Sequence, residues 1–116
     1  MKNFLAVYLG SADSMAKWKA MDEGKRKQSE KAGKEAWMKW ATANAKAIVD
    51  HGAPLGKTRR ISRQGIADIR NEMAAYTLVQ ADSHEAAAKL FENHPHFTIF
   101  PGNAVEVMEC LPMPEM

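Results

Sequence analysis

The residues best suited to chemistry lie in "NHPHFTIFPG", positions 93–102. His94 and His96 flank Pro95. In an extended segment both imidazoles point the same way, and Glu92 is close enough to add a carboxylate. Two histidines and a carboxylate can hold a metal. An imidazole also titrates near neutrality, so either ring can accept a proton from a bound molecule. Tyr8, Tyr76, Asn44 or Glu106 could supply the partner such a base needs. The H-x-H pattern is common and a proline sits inside it, so the expectation is no metal and no cofactor, with His94 and His96 as the catalytic candidates. The plainer reading is a histidine satisfied by a backbone carbonyl at a helix end.

The remaining reactive side chains have structural explanations. His51 is read at a helix C-terminus, where the dipole favours a cation. His84 is read in the first turn of a helix, exposed. Cys110, the single cysteine, is read as a buried structural thiol in the last strand. Lys57, Arg59 and Arg60 precede a polar strand. They either grip an anion at a sheet end or stud a solvated edge strand. Eight methionines and three tryptophans suit an adaptable apolar pocket, and equally a dimer interface.

A chain of 116 residues fits one domain, 1–116, with an ordinary core. At 46% apolar and 26% charged it has a soluble globular balance. One cysteine admits no internal disulfide, which suits a reducing, cytoplasmic setting. No run approaches the length of a membrane helix. "MKNFLAVYLGSADS" lacks a long h-region and is read as a strand rather than a signal peptide. The net charge of +2 hides an asymmetry: residues 1–63 carry 14 Lys/Arg and 6 Asp/Glu, residues 64–116 carry 2 and 8. The halves are electrically complementary. No nucleic-acid motif accompanies the basic residues, so neither nucleic acid nor membrane is expected as a partner.

These side chains need elements to place them. "NFLAVYLG" reads as a strand with Phe4, Ala6 and Tyr8 on one face and Leu5, Val7 and Leu9 on the other. Residues 12–24 form a short helix through Met15, Trp18 and Met21. "DEGKRKQSEKAGK" reads as a solvated loop or a frayed helix start. "EAWMKWATANAKAIVDHG" is the strongest helical pattern, with Trp37, Trp40, Ala41, Asn44, Ile48 and His51 on one face and Gly52 as its left-handed cap. "APLGKTRRIS" is a turn and a polar strand, and "RQGIADIRNEM" a loop or excursion. "AAYTLVQA" is a strand with Tyr76, Leu78 and Gln80 opposite Ala75, Thr77 and Val79. "DSHEAAAKLFENHP" is a helix opened by an Asp82–Glu85 capping box. "FTIF" and "AVEVMECL" read as strands, and the tail 112–116 as exposed.

The order β-α-β-β-α-β matches the split β-α-β ferredoxin-like motif: α+β, one four-stranded antiparallel sheet, both helices on one face. The other sheet face stays apolar, so a second copy is expected to cover it, making a homodimer.

The segment "LVQADSHEAAAKLFENHPHFTIFPGNAVEVMECLP" and the "W-x-x-W" helix ending in "HGAPLG" resemble the YCII-related (DGPF-type) domains. The likeness spans about 1–10 and 35–114 and leaves 11–34 and 61–72 uncovered. It implies a ferredoxin-like fold of the dimeric α/β-barrel group, in which two sheets face each other and enclose pockets. Some members are thought to act through a helix His and an Asp before Pro. Those positions fall here near Trp40 or Ala41 and on His94, and the "DGPF" letters are missing. The leading functional expectation is a module that binds a small, partly aromatic molecule between helix and sheet. Its lining would be Tyr8, Trp40, Asn44, Tyr76 and Phe97, with His94 and His96. The alternatives are an enzyme of the same superfamily doing proton-transfer or lyase chemistry with a histidine base, and a structural dimer whose interior its own side chains fill.

Overall fold

The computed structural model describes residues 1–114. Strand β1 (Lys2–Leu9) is followed by helices α1 (Ala12–Ala20) and α2 (Glu23–Ala43), then by β2 (Ile48–Pro54), β3 (Thr58–Ser62), β4 (Gly65–Ile69) and β5 (Met73–Ala81). Helices α3 (His84–Lys89) and α4 (Pro95–Thr98) and strand β6 (Ala104–Glu109) complete it. Four strands form an antiparallel sheet in the order β2-β5-β1-β6, and β3 and β4 form a separate two-stranded hairpin. This is the ferredoxin-like α+β arrangement, with that hairpin inserted between the second and third sheet strands.

The central strands set the layers by simple alternation. β1 pairs with β5 so that Phe4 meets Val79 and Ala6 meets Thr77, and with β6 so that Ala6 meets Val107 and Tyr8 meets Val105. That face carries the core: Phe4, Ala6, Tyr8, Val79, Ala81, Ala87 and Phe91, with Trp37, Trp40 and Leu90 packed against it. The opposite face presents Leu5, Val7, Tyr76, Leu78 and Met108.

Several elements differ from the sequence reading, each for a local reason. Of the two readings of the basic stretch 22–34, loop or frayed helix start, the structure takes the helical one, and as regular helix from Glu23. The Asp22 carboxylate accepts from Lys25 N–H as the N-cap, and Lys, Arg, Gln and Glu favour helix, which outweighs the two glycines. Gly33 is itself required, because a Cβ there would sit 2.5 Å from the Phe100 ring.

The same helix stops at Ala43, nine residues before the expected cap at Gly52. Asn44 ends it, its amide donating to the Trp40 carbonyl at 2.9 Å. Ile48 and His51 therefore leave the helical stripe and enter the edge strand β2, so His51 meets no helix dipole. Gly52 does take positive φ, at 70°, but within β2, where a Cβ would collide with the Tyr76 carbonyl oxygen. It marks an irregularity in the β2–β5 register.

"FTIF" is no strand: Pro95–Thr98 is one helical turn. "RQGIADIRNEM" supplies β4. The polar strand β3 pairs with β4 rather than joining the main sheet. The cap of α3 is Ser83, whose hydroxyl accepts from Ala86 N–H, in place of Asp82. Cys110 is exposed rather than buried. Of the tail 112–116, residues 112–114 are exposed and irregular, and 115 and 116 lie outside the described residues. Among the described residues, no helix is long and apolar enough to cross a membrane.

Candidate functional site

Tyr8 organises the site. β1 delivers its ring beneath α2, where it is fully buried and meets Trp37 at 4.9 Å, His94 at 5.1 Å and His96 at 5.2 Å between centroids. Its oxygen lies 3.0 Å from Thr77 Oγ1, which in turn lies 3.3 Å from the His51 carbonyl. A carbonyl only accepts, so the threonine proton goes to His51 and the tyrosine hydroxyl donates to Thr77. Burial pushes the Tyr8 phenol up to about 12, against the opposing pull of the Thr77 bond. The phenol is neutral throughout the physiological range.

The two histidines are placed by the turn at Pro95. His94 is the N-cap of α4, and proline occupies the first helical position, where a missing N–H is harmless. The side chain does the capping: His94 Nδ1 accepts from the His96 backbone N–H at 3.0 Å. The neutral His94 ring must therefore carry its proton on Nε2. That atom is sealed from water and has no hydrogen-bond partner among the described residues. Trp37 stands edge-to-face with the ring at 4.4 Å and 89°, and Trp40 at 4.6 Å and 71°. Aromatic density surrounds the imidazole in place of oxygen. Desolvation, and after it the neighbouring His96, lower its pKa to about 4.

His96 is held differently. Its Nε2 lies 2.7 Å from the Leu9 carbonyl and must donate to it, so Nδ1 keeps a lone pair. Among the described residues Nδ1 makes no hydrogen bond, and it is not one of the sealed atoms. Burial lowers the His96 pKa, and the Leu9 bond offsets this in part. Gly102 lies flat against the ring: a Cβ there would collide with Nε2. His96 is thus a neutral, clamped imidazole with one free acceptor.

His96 lines two adjoining clefts. The larger, about 560 Å³, is lined by Tyr8, Trp37, Thr77, His96, Phe100 and the β2 edge from His51 to Pro54, with Lys34 and Met38 at its mouth. The smaller, about 420 Å³, shares His96, Phe100 and Lys34 and runs toward Met15 and Trp18 of α1. The walls are aromatic and the polar groups few, the character of a small-molecule site.

The candidates from the sequence divide accordingly. Tyr8 and His96 line the larger cleft, whereas Tyr76, whose side chain strand alternation puts on the opposite sheet face, only borders it at the β5 edge beside Gly52. His94 lies behind His96, with no exposed surface. Trp40 is a wall of the core: its Nε1 donates to the Leu90 carbonyl at 2.7 Å and its ring packs on Phe91 and His94. Asn44 is spent on the helix cap. Phe97 belongs to a separate groove with His84, Glu92 and Val105. Among the described residues no three His, Cys, Asp or Glu side chains gather as a metal centre, so Glu92 does not join the two histidines.

Trp37, Phe100, Thr77, Lys34, Met38 and the β2 edge are lining residues absent from the sequence reading of the site. One signal could have placed Phe100. A polar side chain directly before proline marks an N-cap, and the helical turn it opens swings Phe100 back toward α2.

No protein-family model matches the chain, and no curated protein matches it significantly. Among solved structures it is similar to the 5-chloro-2-hydroxyhydroquinone dehydrochlorinase of Burkholderia phenoliruptrix, in complex with 2,5-dihydroxybenzoquinone. The TM-score is 0.54 at 16% identity, over 90% of this chain and 89% of that one. The likeness establishes a shared α+β ferredoxin-like fold.

Proposed function

We propose that the protein binds a small, hydroxylated aromatic molecule in the cleft between α2 and the sheet. The observation that carries this reading is the free Nδ1 lone pair of a neutral His96, beside the aromatic walls of Trp37 and Phe100. A flat ring fits between those walls, and a phenolic or enolic O–H on it can donate to His96 Nδ1. Tyr8 forms the floor and Lys34 offers a cation at the mouth. The solved neighbour, which acts on a chlorinated hydroxyhydroquinone and was captured with a dihydroxybenzoquinone, supports this ligand class. The same comparison supports assigning the chain to the dimeric α/β-barrel group, and the helix-end and strand-end motifs support the YCII-related family within it. The outer sheet face then packs against a second copy.

A second reading rests on the same lone pair. Desolvation keeps His96 unprotonated, so it can take a proton from a bound phenol or enol as the base of a proton-transfer or elimination reaction. His94 then acts as a positioning residue that fixes the His96 backbone. The test is native mass spectrometry of freshly purified protein, followed by fluorescence titration with 2,5-dihydroxybenzoquinone. Binding that quenches Trp37 and is lost in His96→Ala supports the site. Binding unaffected by that change sinks it. Release of chloride from 5-chloro-2-hydroxyhydroquinone by the wild type, lost in His96→Ala, separates enzyme from binder.

A further inference from the structure

The β3–β4 hairpin has no home within its own chain. The radius of gyration is 16.2 Å, against about 13 Å for a compact chain of this length. The molecule extends 54 × 43 × 18 Å. The hairpin continues the β2–β5 pair outward past Leu55 and Ala74 as a free arm. Strand alternation puts Arg59, Ile61, Ile66 and Asp68 on one side of it. Arg59 pairs with Asp68 at 3.3 Å, and beyond that pair Ile61 faces Ile66 across the strands. These isoleucines are 73% and 71% exposed. A lone two-stranded hairpin is marginally stable in water, and a β-branched pair at its tip is an apolar surface without a cover.

Charge indicates the cover. Residues 57–70 hold five cations, Lys57, Arg59, Arg60, Arg63 and Arg70, and one acid, Asp68. The outer face of the main sheet is the reverse. It presents Leu5, Tyr76, Leu78 and Met108 around a buried Val7, with Glu106 as its exposed charge on β6 and no Lys or Arg among the outward residues of β1, β5 and β6. Met108 is 44% exposed. Two copies can stack these faces with the arm-bearing β2 edge over either the partner's β2 or its β6. The first choice sets two basic arms side by side. The second sets each arm over the acidic, apolar β6 edge.

We propose that the arm of one copy clasps the outer sheet face of a second copy. Ile61 and Ile66 seat on the apolar strip beside Met108, and Arg63 at the tip meets Glu106, with the exchange repeated by two-fold symmetry. This rests on the sheet-to-sheet dimer proposed above, and the experiment separates the two ideas.

Sedimentation equilibrium of the full chain is run on the wild type, Ile61→Asp/Ile66→Asp, Arg63→Glu, and Arg63→Glu/Glu106→Arg, with circular dichroism confirming that each is folded. The clasp requires the isoleucine variant to raise the dimer dissociation constant at least tenfold. It also requires Arg63→Glu to weaken the dimer and the double exchange to restore it. A dimer of unchanged affinity in all three variants overturns the clasp and leaves the sheet-to-sheet dimer standing. A wild type monomeric at every concentration overturns both. If the charge exchange is ambiguous, amide exchange across 58–69 decides. Protection that rises with protein concentration supports the clasp, and protection independent of it refutes the clasp.

Discussion

His94 and His96 are joined by a single bond: the ring Nδ1 of the first accepts the backbone N–H of the second at 3.0 Å. The two rings thereby acquire different roles. His94 becomes a buried cap with its only proton on a sealed nitrogen. His96 is turned so that its Nε2 donates to the Leu9 carbonyl and its Nδ1 stays free.

Acid should therefore unfold the protein through His94. Its pKa is about 4 in the folded chain and 6.5 when unfolded, so between these values the unfolded state binds the proton first. Stability must fall as pH drops from 6.5 to 4, by up to about 3 kcal/mol, and be fully present above that window. Urea unfolding followed across pH 4–7 checks this. His94→Asn keeps a capping acceptor and should flatten the profile while lowering stability at pH 7.

Tyr8→Phe should cost about 1 kcal/mol, the net worth of one buried hydrogen bond. Thr77 keeps its own acceptor at the His51 carbonyl, so no donor is stranded. In the wild type, absorbance of one phenolate should appear only near pH 12 and be missing from the variant. A first-order fit requiring both tyrosines below that range contradicts the burial of Tyr8.

Gly102→Ala should damage the site out of proportion to its size. The added methyl meets the His96 ring, which cannot yield without leaving Leu9. A loss of about 1–3 kcal/mol is expected from overpacking, with at least a tenfold loss of ligand affinity. Gly56→Ala, away from both clefts and with nothing within 4 Å, is the control and should leave both unchanged.

The sequence carried three of the four sheet strands and the Tyr8 side of the site, because alternation along β1, β5 and β6 fixes faces without reference to anything distant. It misplaced what long-range partners decide. Ile48 and Val49 continue a helical stripe as well as they begin a strand, and pairing of Ile48 with Val79 on β5 settles the matter. The run "FTIF" has strand composition, yet its first residues are committed to the turn opened by His94 and Pro95. Trp40 and Asn44 share the stripe of Trp37. Only the end of α2 and the Leu90 carbonyl separate core and cap residues from the lining residue. Phe97 was placed in the site by proximity to His96 in sequence, but adjacent positions of a helical turn point to different sides.

The measurement that bears most directly on the cleft is ¹⁵N correlation of histidine side chains during titration with a small hydroxylated aromatic. The Nε2-protonated tautomer of His96 should be present at pH 7 in the free protein. Its Nδ1 resonance should shift saturably as the ligand binds, while the His94 nitrogens hold nearly still. A His96 whose Nδ1 carries the proton in the free protein, or whose resonances ignore a ligand that binds, contradicts the site described here.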